Sequence, residues 1–193
     1  MTTPILEPQH LRSCLSRFVT GVAVVSYQAD SELRGLTVNS FTSVSLDPPL
    51  ILVSLARQAK AAEHLSSVPF TINVLKASQF DIALQFAGRP RPGLSVQWKA
   101  SNDDLAPTLK GALATFQCRP WHAYDGGDHI MQLGQVVQAD VSGHDEPLLF
   151  DRGRFAMVGL SLFDNPRVIE AAPIIGGGIV RNQLVHHLTA AAS

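Results

Sequence analysis

The sequence predicts a mainly β fold with short helices, arranged as a barrel rather than a doubly wound sheet. Three observations carry this expectation. Strand-like segments, either β-branched runs or apolar/polar alternations, dominate the chain. Helical spacing is confined to three short stretches. Gly- and Pro-containing turns separate the strands at short intervals.

Taken in order, "EPQHLRSCLSRFV" places Leu11, Cys14, Leu15 and Phe18 at helical spacing, so residues 7–19 read as an amphipathic helix. "VAVVSYQ" (22–28) is a β-branched run and "ADSELRG" (29–35) a polar turn. "LTVNSFTSVSL" (36–46) alternates as a strand and stops at "DPP", where proline ends pairing. "LILVSLA" (50–56) is a second buried run. "QAKAAEHLSS" (58–67) reads as a helix, "PFTINVLK" (69–76) as a strand, and "SQFDIALQFAG" (78–88) as a helix closed by Gly88. "RPRPG" is a loop. Residues 112–126, 129–143 and 146–159 read as strands joined by Gly-containing turns.

Composition narrows the function classes. With 193 residues, 46% of them apolar, the chain can bury a core in one domain, and 16% charged residues argue against disorder. A net charge of −1 leaves no clustered cationic face for nucleic acid or acidic lipid. No apolar run approaches the roughly 20 residues of a membrane span. The start, "MTTPILEPQH", lacks a basic and an apolar region, which predicts no signal peptide. Cys14 and Cys118 show no metal spacing, and no metal site is expected. Two thiols suit a reducing cytoplasm. The apolar content also favours an oligomer.

Four stretches could carry chemistry. "LTVNSFTSVSL" holds Thr37, Asn39, Ser40, Thr42, Ser43 and Ser45. These are either solvated residues of an edge strand or a neutral hydrogen-bonding surface for a polyhydroxylated, phosphorylated ligand. Arg57 and Lys60 open the helix at 58–67. They are either solvated charges or a phosphate site aided by free helical N–H groups. Phe70, Asn73 and Phe86 either line a planar pocket or pack the core. In "GDHIMQLGQV", Asp128 precedes His129 at the mouth of a strand, with Tyr124 nearby in sequence. An imidazole there could bind a carboxamide or phosphate, or donate a proton near neutral pH. No GxGxxG, GxSxG or Walker-type loop is present.

Seven stretches, taken together, resemble the short-chain flavin reductase family. These proteins are the reductase components of two-component flavin-dependent monooxygenases. The stretches are "RFVTGVAVVS", "GLTVNSFTSVSLDPPLILVSLAR", "PFTINVL", "LQFAG", "PTLKGALATFQC", "GDHIMQLGQV" and "PLLFDRGRF", spanning Arg17 to Phe155. The resemblance implies an FMN-binding split β-barrel over residues 1–156, with a C-terminal extension over 157–193. It implies a homodimer binding FMN or FAD and oxidising NADH or NADPH, with reduced flavin passed to a partner monooxygenase. Carried over, Thr37, Val38, Asn39, Ser40, Phe41 and Ser45 would belong to the flavin site. Ser54, Leu55 and Ala56 would border the flavin, Lys60 would approach its phosphate, and Arg57 would belong to the cofactor site. Phe86 and Ala87 would close the ring pocket. His129 would be the catalytic residue, orienting the nicotinamide, with Asp128, Arg154 and Phe155 on that side. The family often carries small hydroxyl residues where this chain has Ala59 and Ala61. Two alternatives stay open: a non-catalytic flavin or electron carrier on the same barrel, and, favoured by that departure, a split barrel recruited to another reaction with its flavin site eroded.

Overall fold

A computed structural model describes residues 6–101 and 104–159. Helix α1 (Pro8–Leu15) leads into β1 (Thr20–Gly21), β2 (Ala23–Ala29), β3 (Glu32–Val38), β4 (Thr42–Leu46) and β5 (Pro49–Ala56). Helix α2 (Lys60–His64), strand β6 (Phe70–Val74), a 3-10 turn (Ala77–Gln79) and helix α3 (Phe80–Phe86) follow. The chain continues through β7 (Trp98–Lys99), β8 (Thr108–Leu109), β9 (Ala114–Gly126), β10 (His129–Val141), β11 (Leu148–Asp151) and β12 (Arg154–Met157).

Seven strands form one antiparallel sheet in the order β3-β2-β6-β9-β10-β5-β4. β3 and β4 are its two outer strands, yet only residues 39–41 join them. Four Cα steps reach about 14 Å at most. The edges of a flat seven-stranded sheet would stand about 29 Å apart. The sheet therefore has to curl until its edges nearly meet. No ladder closes β3 on β4 among the described residues, so the barrel stays split at that seam. A second sheet, β1-β11-β12, and the small pair β7-β8 complete the body.

Strand β2 shows why "VAVVSYQ" lacks alternation. Ala23, Val25 and Tyr27 face one apolar cluster with Val53, Leu55 and Phe70. Val24, and Val22 just before the strand, face a second cluster with Leu75, Ala83 and Leu148. A strand buried on both faces has no polar side to display. Helix α3 covers the second face. Its Phe86 lies so close to Gly35 that an added Cβ would stand 2.6 Å from the ring.

Several elements differ from the sequence expectation. The polar turn expected at 29–35 shrinks to Asp30 and Ser31, both at positive φ, and Glu32–Arg34 is already strand. Asp and Ser tolerate the left-handed region, so two residues suffice for the hairpin. The continuous strand expected over 36–46 breaks at the 39–41 seam. The helices are shorter than their apolar periodicity suggested, α2 most of all. Residues 146–159 form a hairpin, β11–β12, turning at Arg152 and Gly153 with φ of 45° and 78°. All but 157–159 of the C-terminal extension lies outside the described residues.

Candidate functional site

Strands β9 and β10 meet in a two-residue turn, Gly127–Asp128, with Gly127 at φ 78°. A first central glycine in the left-handed region suits the twist of a tight hairpin. Arg57, at the end of β5, clamps this turn. Its backbone N–H donates to the Asp128 carbonyl at 3.1 Å and its Nε–H to the Gly127 carbonyl at 2.6 Å. Its guanidinium also pairs with the Asp125 carboxylate. The Gly127 N–H donates to Asp125 Oδ1 at 2.8 Å. That bond, followed by Arg57, holds the Asp125 carboxyl below its ordinary range.

The clamp fixes His129. Its Nδ1 lies 2.7 Å from Asp128 Oδ1. The hydrogen bond to His129, then its charge, lowers the Asp128 carboxyl. With Nδ1–H donating to Asp128, Nε2 is the ring atom left for a ligand. Tyr124, near in sequence, is directed elsewhere: its ring lies tilted against His122, with centroids 4.4 Å apart.

The seam residues link this turn to a cleft. The Ser40 hydroxyl donates to the Ser54 carbonyl at 2.8 Å and accepts from the Ser54 N–H at 3.1 Å. Ser54 pairs with Met131, and Ala56 pairs with His129. On the other side, Asn39 lines a cavity of about 170 Å³ with Thr37, Val38, Ala87, Phe150 and Phe155. A larger cleft of about 760 Å³ shares Ala87, Phe150 and Phe155 as a wall. Its rim carries Arg89, Arg91 and Arg154. An aromatic floor beside small neutral groups and a cationic rim suits a planar ring bearing a phosphate chain, and the volume falls in the usual range for such ligands.

The expected site residues separate into distinct places. Asn39, Ala87, Thr37 and Val38 meet at the small cavity, although the Thr37 hydroxyl already donates to the Ala83 carbonyl at 2.7 Å. Ser54 borders the seam, Ala56 pairs with His129, and Leu55 is buried in the core and offers a ligand no side chain. Phe41 packs against Phe116, and Phe86 against Gly35 and Trp98. Ser45 stands beyond a bulge, opposite Leu50, away from the seam. Lys60 is exposed at the start of α2, without a charged partner among the described residues. Arg154 and Phe155 lie in the second sheet. There Phe155 contacts Phe80 and Phe150 edge-on, while the side chain of His129 holds Asp128.

Of the pocket-or-core alternatives, Phe70 and Asn73 resolve as core. Both are fully buried, and the Asn73 side chain holds Val24, Ser26 and the Leu109 N–H. Burial pushes the Cys118 thiol up to about 12, so it stays protonated and unreactive at neutral pH. Sequence reasoning missed Arg89 and Arg91, hidden in a stretch read only as loop. It also missed Asp125, which meets Arg57 across 68 positions.

A family model described as flavin reductase like domain matches residues 15–159. The chain belongs to that family. Its relatives include an NADH-dependent FAD reductase of Streptomyces globisporus, 41% identical over 151 residues, 75% of this chain and 82% of the relative. The reductase component of 4-hydroxyphenylacetate 3-monooxygenase from Thermus thermophilus is 35% identical, over 74% of this chain and 91% of that one. Among solved structures, the Streptomyces globisporus NADH:FAD oxidoreductase in complex with NAD and FAD fragments aligns with a TM-score of 0.74 at 35% identity. That match covers 83% of this chain and all of the other. The split-barrel fold of this flavin reductase-like chain is thus shared with characterised reductases.

Proposed function

We propose that the chain is an NAD(P)H:flavin oxidoreductase that supplies reduced flavin to a partner monooxygenase. The observation that carries the reading is a seam of small polar residues between the Asp128–His129 turn and the aromatic cleft, in a chain of this family. Flavin, as FMN or FAD, and the nicotinamide dinucleotide supply the hydride chemistry themselves, from nicotinamide C4 to flavin N5. The protein's part is positioning. Asn39 would offer a donor and an acceptor to a flavin edge, with Ala87 leaving room for the ring. Asp128 holds the imidazole so that Nε2 accepts from the carboxamide N–H of the nicotinamide. Arg57 acts as the clamp of that turn, and Lys60, exposed at the start of α2, is a cation for a flavin phosphate. No helix among the described residues is long and apolar enough to cross a membrane. A homodimer in the cytoplasm completes the reading.

The eroded-site alternative drew on Ala59 and Ala61. Ala61 is buried in the apolar core cluster. Ala59, at the start of α2 with no side-chain capping bond, remains the one informative departure.

The test is NADH and NADPH oxidation with FMN, FAD or no flavin added. Oxidation that requires added flavin supports the reading and names both substrates. A protein that purifies yellow but oxidises neither nucleotide would instead be a flavin carrier. A colourless, inactive one would be a barrel recruited elsewhere.

A further inference from the structure

Two hydroxyls of the run at 36–46 are spent inside the chain. The Thr37 hydroxyl donates to the Ala83 carbonyl at 2.7 Å and ties the end of β3 to α3. The Ser40 hydroxyl does more. It donates to the Ser54 carbonyl at 2.8 Å and accepts from the Ser54 N–H at 3.1 Å, so both backbone groups of one residue meet one side-chain oxygen. A paired residue on a neighbouring antiparallel strand would satisfy Ser54 in the same way. A hydroxyl can replace it because it is donor and acceptor at once.

The bridge stands where strand pairing runs out. The β4–β5 ladder reaches the Thr42–Leu52 pair and no further. Beyond it, the Ala56 carbonyl accepts from the Ala59 N–H as the chain turns into α2. Between these points the Ser54 N–H and C=O face the open seam, and Ser40 takes both. Ser40 and Ser54 are half-buried, where an unpaired backbone group is costly.

Ser40 also lies between two parts of the site. Its neighbour Asn39 lines the cavity of about 170 Å³ with Ala87, Phe150 and Phe155. On the β5 side, Ser54 pairs with Met131 and Ala56 with His129, and Arg57 follows with its N–H on the Asp128 carbonyl. The path from Asn39 to His129 is therefore one peptide, one side-chain bridge and a short run of β5.

We propose that Ser40 is a positioning residue: its hydroxyl stands in for the missing strand pairing at the seam and fixes the cavity at Asn39 relative to His129. It acts through Ser54 rather than by contact with the flavin. Its effect on the reaction rests on the reductase reading; the bridge itself rests on the seam.

Amide hydrogen exchange, followed by NMR on the protein without flavin or nucleotide, reads the bridge. Ser40→Ala should speed exchange at the Ser54 amide by about tenfold, the factor one hydrogen bond is worth, and leave Ile72 in the β2–β6–β9 ladder unchanged. Unchanged exchange at Ser54 overturns the proposal.

Single-turnover reduction of flavin by NADH, at saturating concentrations, reads the effect. Ser40→Ala should slow the reduction step by about tenfold or more, since a misplacement of about 1 Å is enough for that, while the KM values for flavin and NADH stay within about twofold. A raised flavin KM with the reduction step unchanged would make Ser40 a flavin ligand and overturns the proposal. Faster Ser54 exchange with no kinetic change does so too, because the bridge would then be structural only. Ser40→Thr keeps the hydroxyl and should return both readouts to near wild type. Ser40→Cys, with a weak S–H donor, should fall between Thr and Ala. That order carries the test even where the alanine variant does not fold, and a threonine variant as impaired as the cysteine one overturns the proposal. If the wild type oxidises neither nucleotide with any flavin, the reductase reading fails, and the exchange measurement still decides the bridge because it uses no ligand.

Discussion

The β9–β10 turn and the α3 cleft solve opposite problems. At the turn, polar groups are matched within the chain: Arg57 pairs with Asp125, and the His129 Nδ1–H donates to Asp128. At the cleft, Arg89 and Arg154 stand over aromatic rings with no carboxylate in the lining. A matched cluster is already organised before a ligand arrives, so its contribution is orientation. An unmatched cluster gains its partner only on binding, so its contribution is affinity, and that contribution is screened by salt. The difference predicts which kinetic constant each region controls.

The largest effect should come from breaking the cleft's support. Gly35→Ala would place a Cβ 2.6 Å from the Phe86 ring. Overpacking of this kind costs about 1–3 kcal/mol. Moving Phe86 also displaces the C-terminal end of α3, which carries Ala87 into the cleft wall. We expect a lower Tm and weaker nucleotide binding, both partly restored by adding Phe86→Leu. If Phe86→Leu restores neither, the Gly35–Phe86 contact is not what sets the position of α3.

Next in size is His129→Ala, which removes the group that the turn exists to hold. The expected result is about a tenfold fall in kcat/KM for NADH, carried mainly by KM, since one hydrogen bond to the nicotinamide is lost. The flavin KM should not move. An unchanged NADH KM and kcat/KM would show that His129 does not touch the nicotinamide. Arg57→Ala should act in the same direction but less, by a few-fold, because exposed pairs contribute under about 1 kcal/mol. Arg57→Lys should resemble Arg57→Ala, since an ammonium cannot reach Asp125 and the Gly127 carbonyl as a fork does.

Much of this was legible in the sequence for identifiable reasons. The mainly β character followed from β-branched runs such as residues 22–28, and burial on both faces of β2 explains their lack of alternation. The His129 turn was legible because Gly127 and Asp128 announce a tight hairpin. The role of Arg57 was not. Its partners, Asp125 and Gly127, lie about 70 positions away and meet it only through the β5–β10 ladder, so its local context suggested only a solvated charge or a phosphate site. The seam was read as one strand because a three-residue break between two outer strands leaves the hydroxyl-rich alternation almost intact. Arg89 and Arg91 were passed over because proline spacing marks a loop without showing what the loop faces. Phe86 and Phe41 matched the family motif, yet their surroundings, Gly35 and Phe116, come from distant segments.

The smallest expected effect concerns pH and separates the two regions without altering the cleft. Asp125 and Asp128 both titrate below the ordinary carboxylate range in the folded chain, Asp125 through the Gly127 N–H and Arg57, Asp128 through His129. A carboxyl lowered by folding stabilises the folded state above its unfolded pKa, and that contribution fades as pH falls through the lower folded value. Acidification below about pH 4 should therefore loosen the turn. The Tm difference between wild type and Asp125→Asn should be constant near neutrality and shrink on the acid side. A Tm difference that stays constant through the acid range would mean that the Arg57–Asp125–Gly127 clamp is not formed in solution. His129 would then need another explanation for its orientation.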